Sequence, residues 1–310
     1  MNPYASTGLF TFFKTLLVRL FRGDIFTSLA YDEMQLATLT LVALSCALIG
    51  AFATLRKKAM LANALSHTAL VGIILAFLVL GGWGQLSIPV LLAAALISAL
   101  LTSGIVWLLE HRFSMSSDGA IGLAFTALFS IGVLLATAIT RRTHIGLETV
   151  MGSADVLQMS DFYFACTLLF SSVLFIGLFY SRLRILCFDA KFAKVLGMRI
   201  SAIEVLLLLM LAFVVMGGFR CVGALMVLSY LVIPSAYARL FSKTLGGFLM
   251  RACLISALSV LFGVAFSRAV LTYFALPLST GALSATLLSA FYVLAILYAR
   301  KKRVAISSRL

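Results

Sequence analysis

The chain has 310 residues, of which 63% are hydrophobic and only 11% charged, with a mean hydropathy of +1.15. A soluble domain carries about 25% charged residues; repeated apolar runs of about 20 residues describe a polytopic α-helical membrane protein instead, with no room for a second, soluble domain. The net charge of +14 would suggest nucleic acid in a soluble protein, but these cations are confined to loops and termini, where orientation and the anionic headgroups of membrane lipid account for them and nucleic acid does not.

The opening MNPYASTG has no cationic n-region, so no removable signal peptide is expected. Residues 8–28 are amphipathic, with Thr11, Lys14, Thr15, Arg19 and Arg22 on one helical face and Leu and Phe opposite. Three cations argue against a span, and residues 1–33 read as an interfacial segment. Asp24, Asp32 and Glu33 lead into the first span. A membrane domain over 34–299 follows, then a basic tail, 300–310. Predicted spans are 34–55, 59–80, 86–109, 119–140, 160–181, 203–219, 221–238, 248–270 and 279–299. Gly217 and Gly218 break the pattern before the seventh, and Val222 to Tyr230 reads either as part of a span or as a half-helix folded back. Eight or nine spans are therefore expected. Pro234 predicts a kink in that region.

Loops holding Arg56-Lys57-Lys58, Arg112, Arg182 to Arg199, Arg239 to Arg251 and the tail from Arg300 collect most of the 24 lysines and arginines. The opposite loops hold Arg141, Arg142, Arg220 and Arg268. The positive-inside rule makes the first group, and the C-terminus, cytoplasmic. Nine spans would leave the N-terminal helix outside. The five cysteines, Cys46, Cys166, Cys187, Cys221 and Cys253, are scattered through apolar segments without CxxC pairing and read as small buried hydrophobes.

The stretch Arg56 to Gly72, RKKAMLANALSHTALVG, carries the chemistry. His67 alone among the three histidines falls well within a predicted span, roughly 13 Å deep at the helical rise, near the middle of a core about 30 Å thick. Met60 and Asn63 precede it by seven and four residues and share its helix face. A polar, ionisable face at that depth is expensive without a partner or an aqueous path. Two readings stand: interhelical hydrogen bonding, or a ligand set lining a path.

Two further stretches stand out. In Cys187 to Gly197, Phe188, Phe192 and Leu196 form one stripe and Gly197 supplies a helix stop. It reads as an interfacial helix or as a knob that docks into another protein. Val222 to Lys243 runs apolar to Pro234 and ends at Arg239 and Phe241. GxxxxGK, HExxH and GxSxG are absent, so ATP hydrolysis by this chain is not expected and the protein is not read as an enzyme.

The order of these parts is distinctive: RKKAMLANALSHTALVG, GSADVLQMSD from Gly152, FDAKFAKVLGM from Phe188, VGALMVLSYLVIPSAYARL from Val222, and a closing TGALSATLLSAFYVL. It resembles the membrane permeases of bacterial manganese, zinc and iron ABC importers, over nearly the whole chain after residue 35. The resemblance implies an all-α polytopic permease like those of type II ABC importers, in the bacterial inner membrane. It implies two ATPase subunits that consume the ATP and an extracytoplasmic solute-binding protein that delivers the divalent metal, manganese, zinc or ferrous iron. His67 matches a histidine that the family uses as a metal ligand. Four residues before it the family has a carboxylate, where this chain has Asn63. Loss of that charge favours a heterodimer with a second, carboxylate-bearing permease over a homodimer. Phe188, Asp189, Phe192, Lys194, Gly197, Arg239 and Phe241 are expected to couple to the ATPase, with Phe188, Phe192 and Phe241 buried in its clefts and Lys194 and Arg239 at the rim. The alternatives are a stand-alone secondary metal transporter, which would need an intramembrane acid for ion coupling, and an intramembrane enzyme, for which Ser66 points about 100° away from His67 around the helix.

Overall fold

A computed structural model describes residues 9–22, 30–80, 88–140, 154–188, 200–274, 276 and 278–307, and these contain helices and no strand. In chain order the helices are α1 (Leu9–Arg22), α2 (Tyr31–Leu55), α3 (Ala59–Leu80), α4 (Ile88–Arg112), α5 (Ser117–Thr140), α6 (Met159–Phe188), α7 (Ile200–Val222), α8 (Ala224–Phe241), α9 (Leu245–Phe274) and α10 (Thr280–Ser307). Eight of them, all but α1 and α8, are long and apolar enough to cross a bilayer.

The bundle is built around α2. Asp32 and Glu33 in its first turn suit the positive end of the helix dipole, and Glu33 Oε2 accepts the Ala30 N–H at 2.9 Å. Its other end closes by bonds from Lys58 N–H to Ala53 O (2.7 Å) and from Lys57 N–H to Thr54 O (3.1 Å). That closure needs a left-handed residue, and Lys57 supplies it at φ 58°. The result is a three-residue connection, Arg56 to Lys58, from which α3 starts. Along α2 the buried Ala43, Ala47, Gly50, Ala51 and Ala53 let α6, α7, α8 and α9 pack close on several sides.

α8 runs parallel to α2 and in register with it. Gly50 sits against the Leu231 backbone, and one turn on Ser235 Oγ lies 2.8 Å from Thr54 Oγ1. Its first turn meets the start of α10, where Met226 approaches Gly281. The helix therefore continues from one end of the bundle to the other and does not fold back. The joint before it also differs from expectation: α7 runs unbroken through Gly217 and Gly218, and the turn falls at Gly223, with φ 87°. The physical reason is packing. A Cβ at Gly217 would press on Leu168 (2.7 Å), and one at Gly218 on Val227 (2.8 Å), so both glycines admit neighbours. Pro234 is buried within α8, where its missing N–H leaves the i−4 carbonyl without its usual donor.

Two groups of helices emerge. α3, α4 and α5 pack on one another; α2 and α6 to α10 form the rest, and α7 lies between, packed on both. α1 rests on α9 through Phe13 and Phe262 (5.7 Å between ring centres), with Phe12 buried, and Arg19 reaches Glu33 at 2.6 Å. One end of the bundle carries Arg56, Lys57, Lys58, Arg112, Arg239 and Arg251. At the other, Arg268 pairs with Asp32, Arg220 stands 3.6 Å from Asp161, and Gln35 donates to Ala154 O (2.7 Å) and Thr280 Oγ1 (2.8 Å).

The approach of α2 to α8 makes a direct prediction. Gly50→Ala forces a methyl into the Leu231 carbonyl, so the detergent-solubilised protein should lose about 1–3 kcal/mol of stability, the usual cost of overpacking. Gly177→Ala, where nothing lies within 4 Å of the added carbon, should melt at or slightly above the parent temperature. Equal melting of the two variants would refute the packing.

Candidate functional site

α3 starts directly after the Lys57 turn, so its first residues leave the basic end and its middle lies deep in the bundle. One face is fastened to α4. Thr102 Oγ1 donates to Thr68 Oγ1 at 2.8 Å, Ser98 Oγ donates to Thr68 O at 2.6 Å, and Gly72 sits against the Ala94 carbonyl. Hydroxyl pairs at this depth satisfy each other and hold the two helices as one unit.

His67 lies on another side of α3, toward α5. It is half-buried, with its ring 5.6 Å from that of Phe125 and 5.4 Å from that of Phe129. Those two rings stack on each other, 5.6 Å apart and 12° from parallel. The imidazole therefore packs against a pair of aromatic rings on α5. Asn63 is exposed, and Met60 is 67% exposed. The stripe thus begins on the surface of the chain and leads inward to a half-buried imidazole. Chemically it offers an imidazole nitrogen, an amide oxygen and a thioether sulfur, which suit borderline divalent metals. Among the described residues there is no group of three or more His, Cys, Asp or Glu side chains able to hold a metal.

The residues read as ATPase contacts separate. Phe188 ends α6 and is 73% exposed. Asp189, Phe192, Lys194 and Gly197 lie outside the described residues. Arg239 is exposed on the last turn of α8. Phe241 is only half-buried: its ring packs on Tyr237 at 5.4 Å, in an apolar groove shared with Ile255 and Tyr298, and its carbonyl accepts a hydrogen bond from Arg251.

The structure adds a charged cluster that sequence reasoning treated only as loop cations. Lys58 pairs with Glu110 at the end of α4, and Arg56 Nη2 lies 2.9 Å from Glu204, one turn into α7. His111 Nε2 is 3.4 Å from the other Glu204 oxygen, and Lys58 Nζ 4.0 Å from the first. Arg56 also donates to Leu186 O near the end of α6, at 3.4 Å. Lys58 and Glu204 are buried. A buried carboxylate survives only when paired. The one available signal was the survival of Glu110 and Glu204 beside apolar runs, which does not say what they meet.

Comparison with known proteins agrees with this architecture. Residues 30–299 match the ABC 3 transport family. A Chlamydia muridarum protein described as "Probable metal transport system membrane protein" is 33% identical over 294 residues, covering 94% of this chain and 93% of its own. The manganese transport system membrane protein MntD of Bacillus subtilis is 34% identical over 252 residues, covering 77% of this chain and 84% of its own. Among solved structures, PsaBC from Streptococcus pneumoniae, in complex with a Fab, superposes with a TM-score of 0.68 at 22% identity, covering 88% of this chain and 93% of that one, a likeness of fold. With its helices in the expected order and nearly all of its membrane domain matched, the chain belongs to the ABC 3 transport family.

Proposed function

We propose that this chain is the membrane permease subunit of an ABC importer that carries a divalent transition metal, manganese, zinc or ferrous iron, across the inner membrane. The observation that carries this reading is the half-buried imidazole of His67 at mid-depth of α3, one turn beyond an exposed amide, in a member of this family. Imidazole nitrogen is a good donor to borderline metals and gives way to water readily enough for a cargo ion to leave. The path would run along α3, from His67 to Asn63 and Met60, with the basic end and the C-terminus in the cytoplasm under the positive-inside rule. ATP is consumed by separate ATPase subunits that sit on the basic end, and a solute-binding protein delivers metal to the opposite end. His67→Ala should then cut metal uptake by more than about tenfold, a loss already typical of residues that merely support a ligand. Membrane level and thermal stability should stay near the parent values, and uptake at the parent rate would make His67 an interhelical packing residue.

The ATPase contact is proposed to centre on Phe188 and the stretch from Asp189 to Gly197. The exposed ring of Phe188 at the end of α6 supports this, because an apolar ring there needs cover. Asp189, Phe192, Lys194, Gly197 and Arg239 are proposed to take part in the same contact. Phe192→Asp should leave the chain inserted but weaken co-purification of the ATPase, since burying one carboxylate costs several kcal/mol. Unchanged co-purification together with unchanged ATPase activity would remove this role.

The second permease subunit is proposed to be a different chain. One copy offers a single histidine and a neutral amide, and Asn63 and Met60 present their donors at the surface. Two such copies would make an uncharged cage, poor for a hard divalent ion. A partner with Asp at the position of Asn63 restores the missing charge. Co-expression should yield a complex with one copy of each chain, and neutralising the partner's carboxylate should reduce transport more than Asn63→Ala does. A fully active complex holding two copies of this chain would exclude the heterodimer.

A further inference from the structure

We infer that Glu204 is a positioning residue that transmits movement from the basic end of the bundle to the helix carrying His67. The inference rests on the permease reading above but concerns residues that reading does not use.

The geometry singles out this carboxylate. α3, α4 and α5 are held together throughout: Lys58 to Glu110 at the basic end, Thr68 to Ser98 and Thr102 in the middle, Gly72 against Ala94 beyond, and His67 against Phe125 and Phe129. They form one packed unit. Glu204 belongs to the other group, on α7, yet touches both. Its Oε1 lies 2.9 Å from Arg56 Nη2 and 4.0 Å from Lys58 Nζ, and its Oε2 3.4 Å from His111 Nε2 on α4. Arg56 in turn holds Leu186 O of α6. One carboxylate therefore joins the end of α6, the start of α7, the α2–α3 turn and the end of α4. α6 and α7 are the two helices that flank the proposed ATPase contact.

Charge makes this joint stiff and directional. A carboxylate only 6% exposed is drawn to its cations far more strongly than across water, so a displacement of α7 carries the α2–α3 turn and the end of α4 with it. Elsewhere α7 packs directly on α3 and α4, so the charged joint adds to a contact that already runs along the helices. The cluster also leaves Arg56 Nε and Trp107 Nε1 buried without a hydrogen-bond partner among the described residues. Trp107 stacks on His111, with ring centres 4.9 Å apart.

The test uses two variants and two measurements. Glu204→Gln keeps the shape of the side chain and removes its charge; His111→Ala cuts only the contact of Glu204 with α4, at a side chain 37% exposed. In the full chain in lipid nanodiscs, amide exchange over residues 56–62 and 107–113 should rise by about tenfold in Glu204→Gln, reflecting local release without global unfolding. In the assembled importer, metal uptake per ATP hydrolysed should fall by about tenfold in Glu204→Gln, and less in His111→Ala, a size usual for coupling between sites. Lowered stability alone would move uptake and hydrolysis together and leave their ratio alone. Unchanged exchange at both helix ends in Glu204→Gln overturns the inference whatever the transport result, and so does an unchanged ratio in a folded variant. Absence of metal uptake by the parent complex would instead overturn the permease reading, while the exchange arm still decides whether Glu204 ties the helices.

Discussion

A carboxylate at the edge of a low-dielectric slab cannot stand alone, and the ends of this bundle are arranged by that constraint. Asp32 meets Arg268, Glu33 meets Arg19, Asp161 meets Arg220, Glu110 meets Lys58 and Glu204 meets Arg56. Each pair draws its two members from different helices or from a helix and a turn. Leaving one member of such a pair without its partner costs about 3–5 kcal/mol. The pairs are thus weak sources of net stability but strong selectors of which helix ends come together. α2 is engaged at both ends, by Arg19 and Arg268 at its start and through Arg56 after its last turn, which is why it sits at the centre.

Between the charged ends the selection is steric. With apolar side chains on every helix and lipid outside, burial by itself does not choose partners in a bilayer. Backbone approach does, at Gly50 on α8 and Gly72 on α4. Hydroxyl pairing does so too, as in the buried Tyr230 and Ser259, 2.7 Å apart between α8 and α9. The stripe of Met60, Asn63 and His67 departs from this economy. It sets polar groups on a helix side that small residues and hydroxyls do not close, beside two phenylalanine rings. A membrane helix bears such a face where protein or a hydrated path covers it.

Much of the fold was legible in advance because its signals are local. Nine apolar stretches matched nine helices, with ends within a few residues for most. Hydropathy and punctuation by Arg, Gly and Pro act over single segments. Where the reading failed, at Gly217 and Gly218, the residues were small for a reason that lies in α6 and α8, whose Leu168 and Val227 fill the space. The same blindness applies to the charges. Arg56-Lys57-Lys58 read as a topological signal, and it is also half of a buried network.

The sequence by itself determined that the chain lives in a membrane, that its helices cross the bundle eight or nine times, which family it joins and that Met60, Asn63 and His67 share a face, because periodicity and hydropathy are properties of neighbouring residues. Tertiary structure alone decided that Lys58 meets Glu110 across 52 residues, Arg56 meets Glu204 across 148 and Arg268 meets Asp32 across 236. It also decided that α8 lies parallel to α2 and that His67 rests on Phe125 and Phe129. Those outcomes depend on close contact between segments whose separation along the chain carries no trace of it, and on electrostatic and steric terms that act only once the helices touch.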